Sequence, residues 1–133
     1  MSLLRFLQPE GWPRPSGYSN GVQAQGRQIF IAGQVGWNPR SGQFESASVV
    51  DQAAQALRNV LAVLAKAEGR PEHVVRMTWY LTSRSEYLAH LKEIGTAYRE
   101  VMGKHFPAMT AVEVSALVEA QAKVEIEATA VIP

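Results

Sequence analysis

The segment of this chain that decides its fold reads Phe106-Pro107-Ala108-Met109-Thr110-Ala111-Val112-Glu113-Val114. A Pro-Ala turn leads into a run in which polar and apolar side chains alternate, and such alternation is typical of a β-strand. We therefore predict a strand over Thr110–Leu117, with one face formed by Val112, Val114 and Ala116. The turn and this strand are one part of the fold, and the pattern of the segments on either side predicts the other elements.

Strands and helices follow one another through the rest of the chain. Apolar residues recur at the 3.6-residue period of an amphipathic helix over Val49–Ala67 and again over about Glu86–Met102. Period-two patterns predict four more strands, Gly21–Gln25, Gln28–Ala32, Val74–Thr82 and Lys123–Ile132. Gly26-Arg27 predicts a hairpin turn between the first two of these strands. Residues 1–17 are expected to form an irregular lead-in, because Pro and Gly are frequent in their second half.

The order β-β-α-β-α-β-β predicts an α+β fold in a single domain, residues 1–133. Two helices can cover only one face of the sheet, so the other face must meet water or a partner. On the predicted strand Val74–Thr82, the face that carries Val74, Thr78 and Tyr80 is apolar for an open sheet surface. This composition favours association of subunits through the sheet.

Composition and charge limit the class of function. The chain has 133 residues, 47% of them hydrophobic and 19% charged, which is ordinary for a soluble globular protein. A net charge of +1 without a basic run gives no reason to expect a nucleic-acid partner. The lack of cysteine excludes disulfides and a cysteine nucleophile. No apolar run approaches the ~20 residues of a membrane span, so we expect a cytoplasmic protein that does not bind membranes.

The histidines carry no recognisable pattern. His73, His90 and His105 lack the spacing of metal ligands, so no metal site is predicted. Lys104-His105 is a combination that can serve acid–base chemistry in phosphodiester cleavage. A solvated helix end is the simpler interpretation, because cations suit the C-terminal end of the helix dipole.

Two other features have both a structural and a functional interpretation. Glu125 and Glu127 share one face of a predicted strand. There they form either a solvent-facing polar row or a carboxylate site that activates water by general acid–base chemistry. Tyr18 lies in a loop rich in Pro and Gly, where it either packs against the core or lines a pocket.

Four further segments make the chain resemble the RidA/YjgF family of enamine and imine deaminases, which is also labelled L-PSP endoribonuclease. They read Ser16-Gly17-Tyr18-Ser19-Asn20-Gly21-Val22, Ile29-Phe30-Ile31-Ala32-Gly33-Gln34, Met77-Thr78-Trp79-Tyr80-Leu81-Thr82 and Val124-Glu125-Ile126-Glu127-Ala128-Thr129-Ala130. Together with Pro107-Ala108 they follow the family's order over roughly residues 18–131. The resemblance implies a chorismate-mutase-like fold, a homotrimer with a small-molecule pocket at each subunit boundary, and no cofactor.

Candidate site residues follow from the resemblance position by position. The positions that match are Tyr18 for the pocket tyrosine, Gly33 for the glycine of Ser-Gly-Gln, and Glu125 for the catalytic glutamate that positions water. The substrate-binding positions that depart are Ala32 for serine, Gly95 for a helix asparagine, Met109 for arginine and Ala111 for cysteine or threonine. The family's arginine forks onto the substrate carboxylate, and a methionine cannot make that bidentate pair.

The resemblance implies hydrolytic deamination of a small reactive enamine or imine, with release of ammonia and a carbonyl product. Because the arginine is replaced by Met109, we expect a substrate other than a simple 2-imino acid. Two other functions stay open. One is a non-catalytic trimer that binds a small metabolite in the same pocket, and the other is an endoribonuclease, against which the near-neutral charge argues.

Overall fold

A four-stranded sheet with helices on one face forms the centre of the computed structural model, which describes residues 4–133. The strands are β1 (Leu4–Leu7), β2 (Gly21–Ala24), β3 (Arg27–Val35), β4 (Val74–Leu81), β5 (Ala108–Glu113) and β6 (Val124–Ile132). The helices are α1 (Val49–Ala65), α2 (Arg84–Ala89) and α3 (Leu91–Met102), with a short 3-10 turn at Pro71–His73. The main sheet has the order β3-β6-β4-β5, while β1 and β2 form a separate ribbon. The architecture is the α+β arrangement that the sequence predicts.

The hydrophobic core lies between the main sheet and the helices α1 and α3. Along β6 every second side chain from Val124 to Ile132 faces the helices, and none of these is more than 8% exposed. Helix α1 packs on β3 and β6, and α3 packs on α1. Helix α1 begins at Val49, as its apolar period predicts, and it is capped there by Ser48, whose Oγ accepts from the backbone N–H of Asp51.

The predicted hairpin around Gly26-Arg27 is wrong. β2 pairs with β1, whereas β3 pairs with β6 from its first residue, Arg27 opposite Ile132. Gly26 explains the change of partner, since a Cβ at this position would collide with the backbone oxygen of Ile132. The chain therefore passes close against the end of β6 and enters the main sheet instead of folding back on β2.

The expected irregular lead-in over residues 1–17 is also partly wrong. Leu4–Leu7 is a strand, because β2 finds its antiparallel partner there and not in β3. The part from Gln8 to Gly17 contains no helix or strand, as its Pro and Gly content predicts. Residues 1–3 lie outside the described residues.

Other details of the elements also differ from the sequence prediction. The second helix is interrupted at His90 (φ −117°, ψ 20°), so α2 and α3 replace a single helix. Strand β5 begins at Ala108 and ends at Glu113, before the end of the predicted strand. A bulge between Val74 and Arg76 turns Val74 into the core, although simple alternation assigned it to the open face.

Strands β4 and β5 run parallel at one edge of the sheet. Their register sets Met77 beside Met109 and Trp79 beside Ala111. Because side chains at paired positions of neighbouring strands point to the same face, Met109 and Ala111 share the helix-covered side with Met77 and Trp79. The segment after Pro107 is thereby placed under α3.

Candidate functional site

The predicted site residues lie in two groups on opposite sides of the main sheet. The first group lines a cavity of about 780 Å³ between the sheet edge and α3, and consists of Tyr18, Gly95, Met109 and Ala111. The second group lies at the open face, and consists of Ala32, Gly33 and Glu125. Within one chain the structure therefore brings together the members of each group but does not bring the two groups together.

Hydrogen bonds between remote segments position the first group. The backbone N–H of Ser19 donates to the carbonyl of Pro107 at 3.0 Å, and Ser19 Oγ donates to the carbonyl of Phe106 at 2.5 Å. Ser19 thus joins the loop before β2 to the Pro-Ala turn, with Ala108 as its bridge partner. As a result Tyr18 and Met109 line the same cavity although 91 positions separate them in sequence.

Five aromatic side chains contribute to the cavity wall, namely Tyr18, Trp79, Tyr87, Tyr98 and Phe106. The rings of Tyr98 and Phe106 stack with centroids 5.5 Å apart, and Trp79 contacts both Tyr87 and Tyr98 edge-on or tilted. Tyr98 Oη donates to the carbonyl of His105 at 2.6 Å. Burial raises the pKa of Tyr87 and of Tyr98, so both phenols stay neutral at physiological pH. These groups give the cavity a rigid and largely apolar interior.

Met109, for which the resemblance implies an arginine in the family, lies in this wall. Its side chain is partly buried and packs against the hydrophobic core. The cationic side chains of the cavity come from other elements, namely Arg14 in the loop before β2 and Lys92 and Arg99 on α3. These side chains give the cavity positive charge.

The second group centres on the contact between Glu125 and Gly33. Glu125 projects from β6 on the face opposite the buried Val124 and Ile126. A Cβ added to Gly33 would collide with Glu125 Oε2, so only a glycine leaves room for this carboxylate as it stands. The glycine also lies in the bulge where the pairing of β3 with β6 shifts between Ile31 and Gln34.

Two residues farther along β6, Glu127 accepts a hydrogen bond of 2.5 Å from Tyr80 Oη. This bond, with desolvation and the negative charges of Glu127 and Glu125, raises the pKa of Tyr80. From the sequence, Tyr80 is predicted only to lie on the less apolar face of its strand. That alternation indicates the open face, but it does not show that Tyr80 lies next to Glu127. The open face thus carries a polar cluster beside the exposed ring of Phe30, which is 73% exposed.

The imidazole rings of the three histidines contact backbone groups of the protein. His105 Nε2 lies 2.6 Å from the carbonyl of Val74, and the backbone N–H of Arg70 donates to His73 Nδ1. His90 ends α2, with its ring nitrogen 3.0 Å from the carbonyl of Glu86. Across residues 4–133 no group of three or more His, Asp or Glu side chains is arranged to hold a metal ion. Within the same range no helix is long and apolar enough to span a membrane.

Several residues of the cavity were not singled out by sequence reasoning, among them Trp79 and Arg99. Trp79 was assigned only to the apolar face of its strand, and Arg99 only to a predicted helix. Arg99 lies four positions after Gly95, a spacing that places two residues on one helical face, so this signal was present in the sequence. The importance of this spacing could be recognised only from the structure, which places Gly95 and Arg99 at the same cavity.

Comparison with known proteins gives a consistent result. The sequence model of the family described as Endoribonuclease L-PSP matches residues 13–132. A 2-iminobutanoate/2-iminopropanoate deaminase of Homo sapiens is 34% identical over 114 residues, which are 86% of this chain and 79% of that protein. A RutC family protein of Pyrococcus horikoshii is 37% identical over 122 residues, 91% of this chain and 92% of that protein.

Solved structures agree in fold over nearly the whole chain. A protein of unknown function of the conserved Rid family from Yersinia pestis has a TM-score of 0.84 at 34% identity, covering 98% of this chain and 99% of that one. The protein TdcF of E. coli, solved with bound serine, has a TM-score of 0.70 at 28% identity, covering 97% and 99%. These likenesses confirm the expected chorismate-mutase-like α+β fold.

Proposed function

Since the chain belongs to the Endoribonuclease L-PSP family, the family of the Rid and YjgF proteins, we propose that it hydrolyses a small reactive enamine or imine. The products are ammonia and a carbonyl compound. The names of its relatives support this proposal, because several that are 31–37% identical are 2-iminobutanoate/2-iminopropanoate deaminases. We further propose that residues 1–133 act as one domain of this kind.

The observation that carries the proposal is the carboxylate of Glu125 held beside Gly33. In the proposed reaction the imine enters as the iminium ion, and Glu125 takes a proton from water while the water oxygen bonds to the iminium carbon, which gives a neutral carbinolamine. Glu125 then gives this proton to the nitrogen. The carbon–nitrogen bond breaks, ammonia leaves, and the hydroxyl proton passes to Glu125 as the carbonyl forms. A carbonyl group remains on the carbon, so one water is consumed for each ammonia released.

The cavity around Met109 supports a substrate different from a simple 2-imino acid. An arginine at this position would offer two parallel N–H donors to a carboxylate, whereas a thioether offers none. Gly95 and Ala111 in the same cavity, and Ala32 on the open face, also lack the polar side chains of the family pattern. The site as a whole is therefore larger and more apolar than the resemblance implies.

A homotrimer would unite the two groups of site residues. Glu125 and Gly33 lie on the open sheet face, and the cavity with Met109 lies on the covered side. If the open faces of three sheets meet around an axis, the edge of one subunit can lie against the open face of the next. The exposed ring of Phe30 on the open face supports such an assembly, because contact with another subunit would remove its apolar surface from water.

A second function, binding of a small molecule without catalysis, is favoured by the separation of the two groups. The cavity has its own aromatic wall and cations without any contribution from Glu125. A ligand could therefore occupy it while the carboxylate takes no part. The E. coli relative TdcF was solved with bound serine, which is consistent with ligand binding as a property of such pockets.

Ammonia release from imines generated in place by an amino-acid oxidase tests the proposed reaction. Glu125→Gln should lower the rate by roughly a hundredfold to ten-thousandfold, the usual contribution of a general acid–base group. Glu127→Gln is the matched control, since it removes a carboxylate from the same strand and face. Met109→Arg should raise the rate on short 2-imino acids.

Separate outcomes distinguish the alternatives. Equal rates of ammonia release for wild type and Glu125→Gln on every imine would contradict catalysis by Glu125. If a ligand then raised the melting temperature of both proteins equally, binding alone would be favoured. Wild-type turnover of 2-aminoacrylate as fast as that of a relative with the arginine would contradict a changed substrate.

A further inference from the structure

The guanidinium of Arg99 lies over Gly95 at the cavity. A Cβ placed on Gly95 would be 3.4 Å from Arg99 Nη1, and apart from the helix backbone and residues 94 and 96 no other described atom lies within 4 Å of that point. Arg99 is one helical turn after Gly95, so its side chain folds back over the position where the family pattern has an asparagine. A methyl group at position 95 would be in ordinary contact with the guanidinium, whereas a longer side chain would compete with it for space.

The positive charge around this cavity is not neutralised by the protein. Among residues 4–133, the side chains that line it include no Asp or Glu, while Arg14, Lys92 and Arg99 all contribute to it. The ion pairs in the same range are Arg70 with Glu72 and Lys123 with Glu86, and neither involves a cavity cation. A cavity with uncompensated cations is complementary to an anionic ligand.

The indole N–H of Trp79 lacks a hydrogen-bond acceptor among the described residues, and this observation is independent of the cavity's charge. It lines the cavity, is 2% exposed, and its Nε1–H has no hydrogen-bond acceptor among residues 4–133. Buried N–H groups are nearly always paired, so an orphan at a cavity wall points to an acceptor that arrives with a ligand. The rings of Tyr87 and Tyr98 beside Trp79 favour a planar apolar body for that ligand.

We propose that the cavity takes a carboxylate that carries an aromatic ring, with Arg99 and Arg14 holding the carboxylate in place of the absent arginine at position 109. Met109 and the aromatic wall contact the ring, and Trp79 Nε1 donates to an oxygen of the ligand. A methionine suits this task, because its flexible thioether makes favourable contacts with aromatic rings. The proposal rests on the proposed function in that it names the substrate class of the same site.

Calorimetric titration with phenylacetate, acetate and phenylacetamide tests the proposal on the intact protein. Phenylacetate should bind at least about tenfold more tightly than either of the others, because only it combines ring and charge. Arg99→Gln should weaken phenylacetate binding by roughly tenfold to a hundredfold, the range for a hydrogen bond to a charged group. Arg40→Gln, in the exposed loop before α1, is the matched control and should leave the affinity unchanged.

The indole N–H resonance of Trp79 gives a second readout. Assigned by comparison with Trp12→Phe and Trp37→Phe, it should move downfield on addition of phenylacetate and stay in place with acetate. Equal affinities of wild type and Arg99→Gln for phenylacetate, or tighter binding of acetate, would overturn the proposal. Ammonia release is measured separately. Binding that depends on Arg99 but is not accompanied by turnover would contradict the proposed deaminase reaction and leave the proposed ligand class intact.

Discussion

The two faces of the main sheet are built from the same strands and differ in what completes them. On β6, Ile126 is fully buried under the helices, while its neighbour Glu125 stands on the opposite face beside Gly33. The buried side chains of β6 on the covered face pack with helix α1 of the same chain. The open face carries carboxylates, a tyrosine and an exposed phenylalanine, and its partners are substrate or other subunits in the proposed function. Ile126, which stabilises the core, and Glu125, which acts in the proposed reaction, are thus neighbours on one strand.

The largest effect on stability should follow Ile126→Ala on the covered face. This change leaves a cavity in the core and should lower the free energy of unfolding by about 2–5 kcal/mol. Urea denaturation followed by circular dichroism measures the loss. Glu125→Gln, one position away on the open face, should change it by less than ~1 kcal/mol, and equal losses for the two would contradict the separation of the faces.

Phe30→Asp should disrupt assembly through the open face. Full burial of a phenylalanine contributes about 1.5–3 kcal/mol, and a carboxylate in its place adds a desolvation cost. Light scattering coupled to gel filtration should give a lower mass for the variant than for the wild type. Val118→Asp is the control, because Val118 is 96% exposed in a loop away from the sheet. A monomeric wild-type protein would remove the basis of this prediction.

Gly95→Ala should stabilise the covered side slightly. Alanine is favoured over glycine inside a helix by about 1 kcal/mol, and the new methyl would meet only Arg99 Nη1, at 3.4 Å. Thermal unfolding should therefore show a small rise in melting temperature. A fall would mean that the guanidinium cannot move aside and is held more firmly than its exposure indicates.

The smallest effect concerns Tyr80 on the open face at alkaline pH. Its folded-state pKa is raised above the ordinary 10.0, mainly by its hydrogen bond to Glu127. The neutral phenol is the favoured form, so this contribution to stability is present below about pH 10 and is lost as the pH rises through the raised pKa. Glu127→Gln should lower the pKa of Tyr80, as measured by the ring resonances of Tyr80 in a pH titration. An unchanged titration would contradict the assigned cause.

Several elements could be predicted from sequence because their signals are local. The period of α1, its cap at Ser48 and the alternation of β6 each depend on residues close in the chain. The hairpin at Gly26 failed for the opposite reason. Its pattern of two short strands and a glycine turn was right, but the strand partners were set by the close approach of Gly26 to Ile132, more than 100 residues away.

The candidate site shows the same division. Glu125, Gly33, Tyr18 and Met109 could be named from motifs, because each occupies a recognisable position in a segment. Their roles in the protein stay a prediction. Arg99 could not be found in this way, since a solvated arginine on a helix is ordinary until its neighbours are known.

The sequence by itself determined the buried face of β6, the start of α1, and the family to which the chain belongs, because these depend on periodicity and on motifs within short segments. Only the tertiary structure decided that Met109 and Glu125 lie on opposite faces of the sheet. It also decided that Arg99 folds over Gly95 and that Trp79 lacks an acceptor in the described part of the chain. The reason is physical: distances between remote segments are set by packing and strand pairing, which no local pattern records.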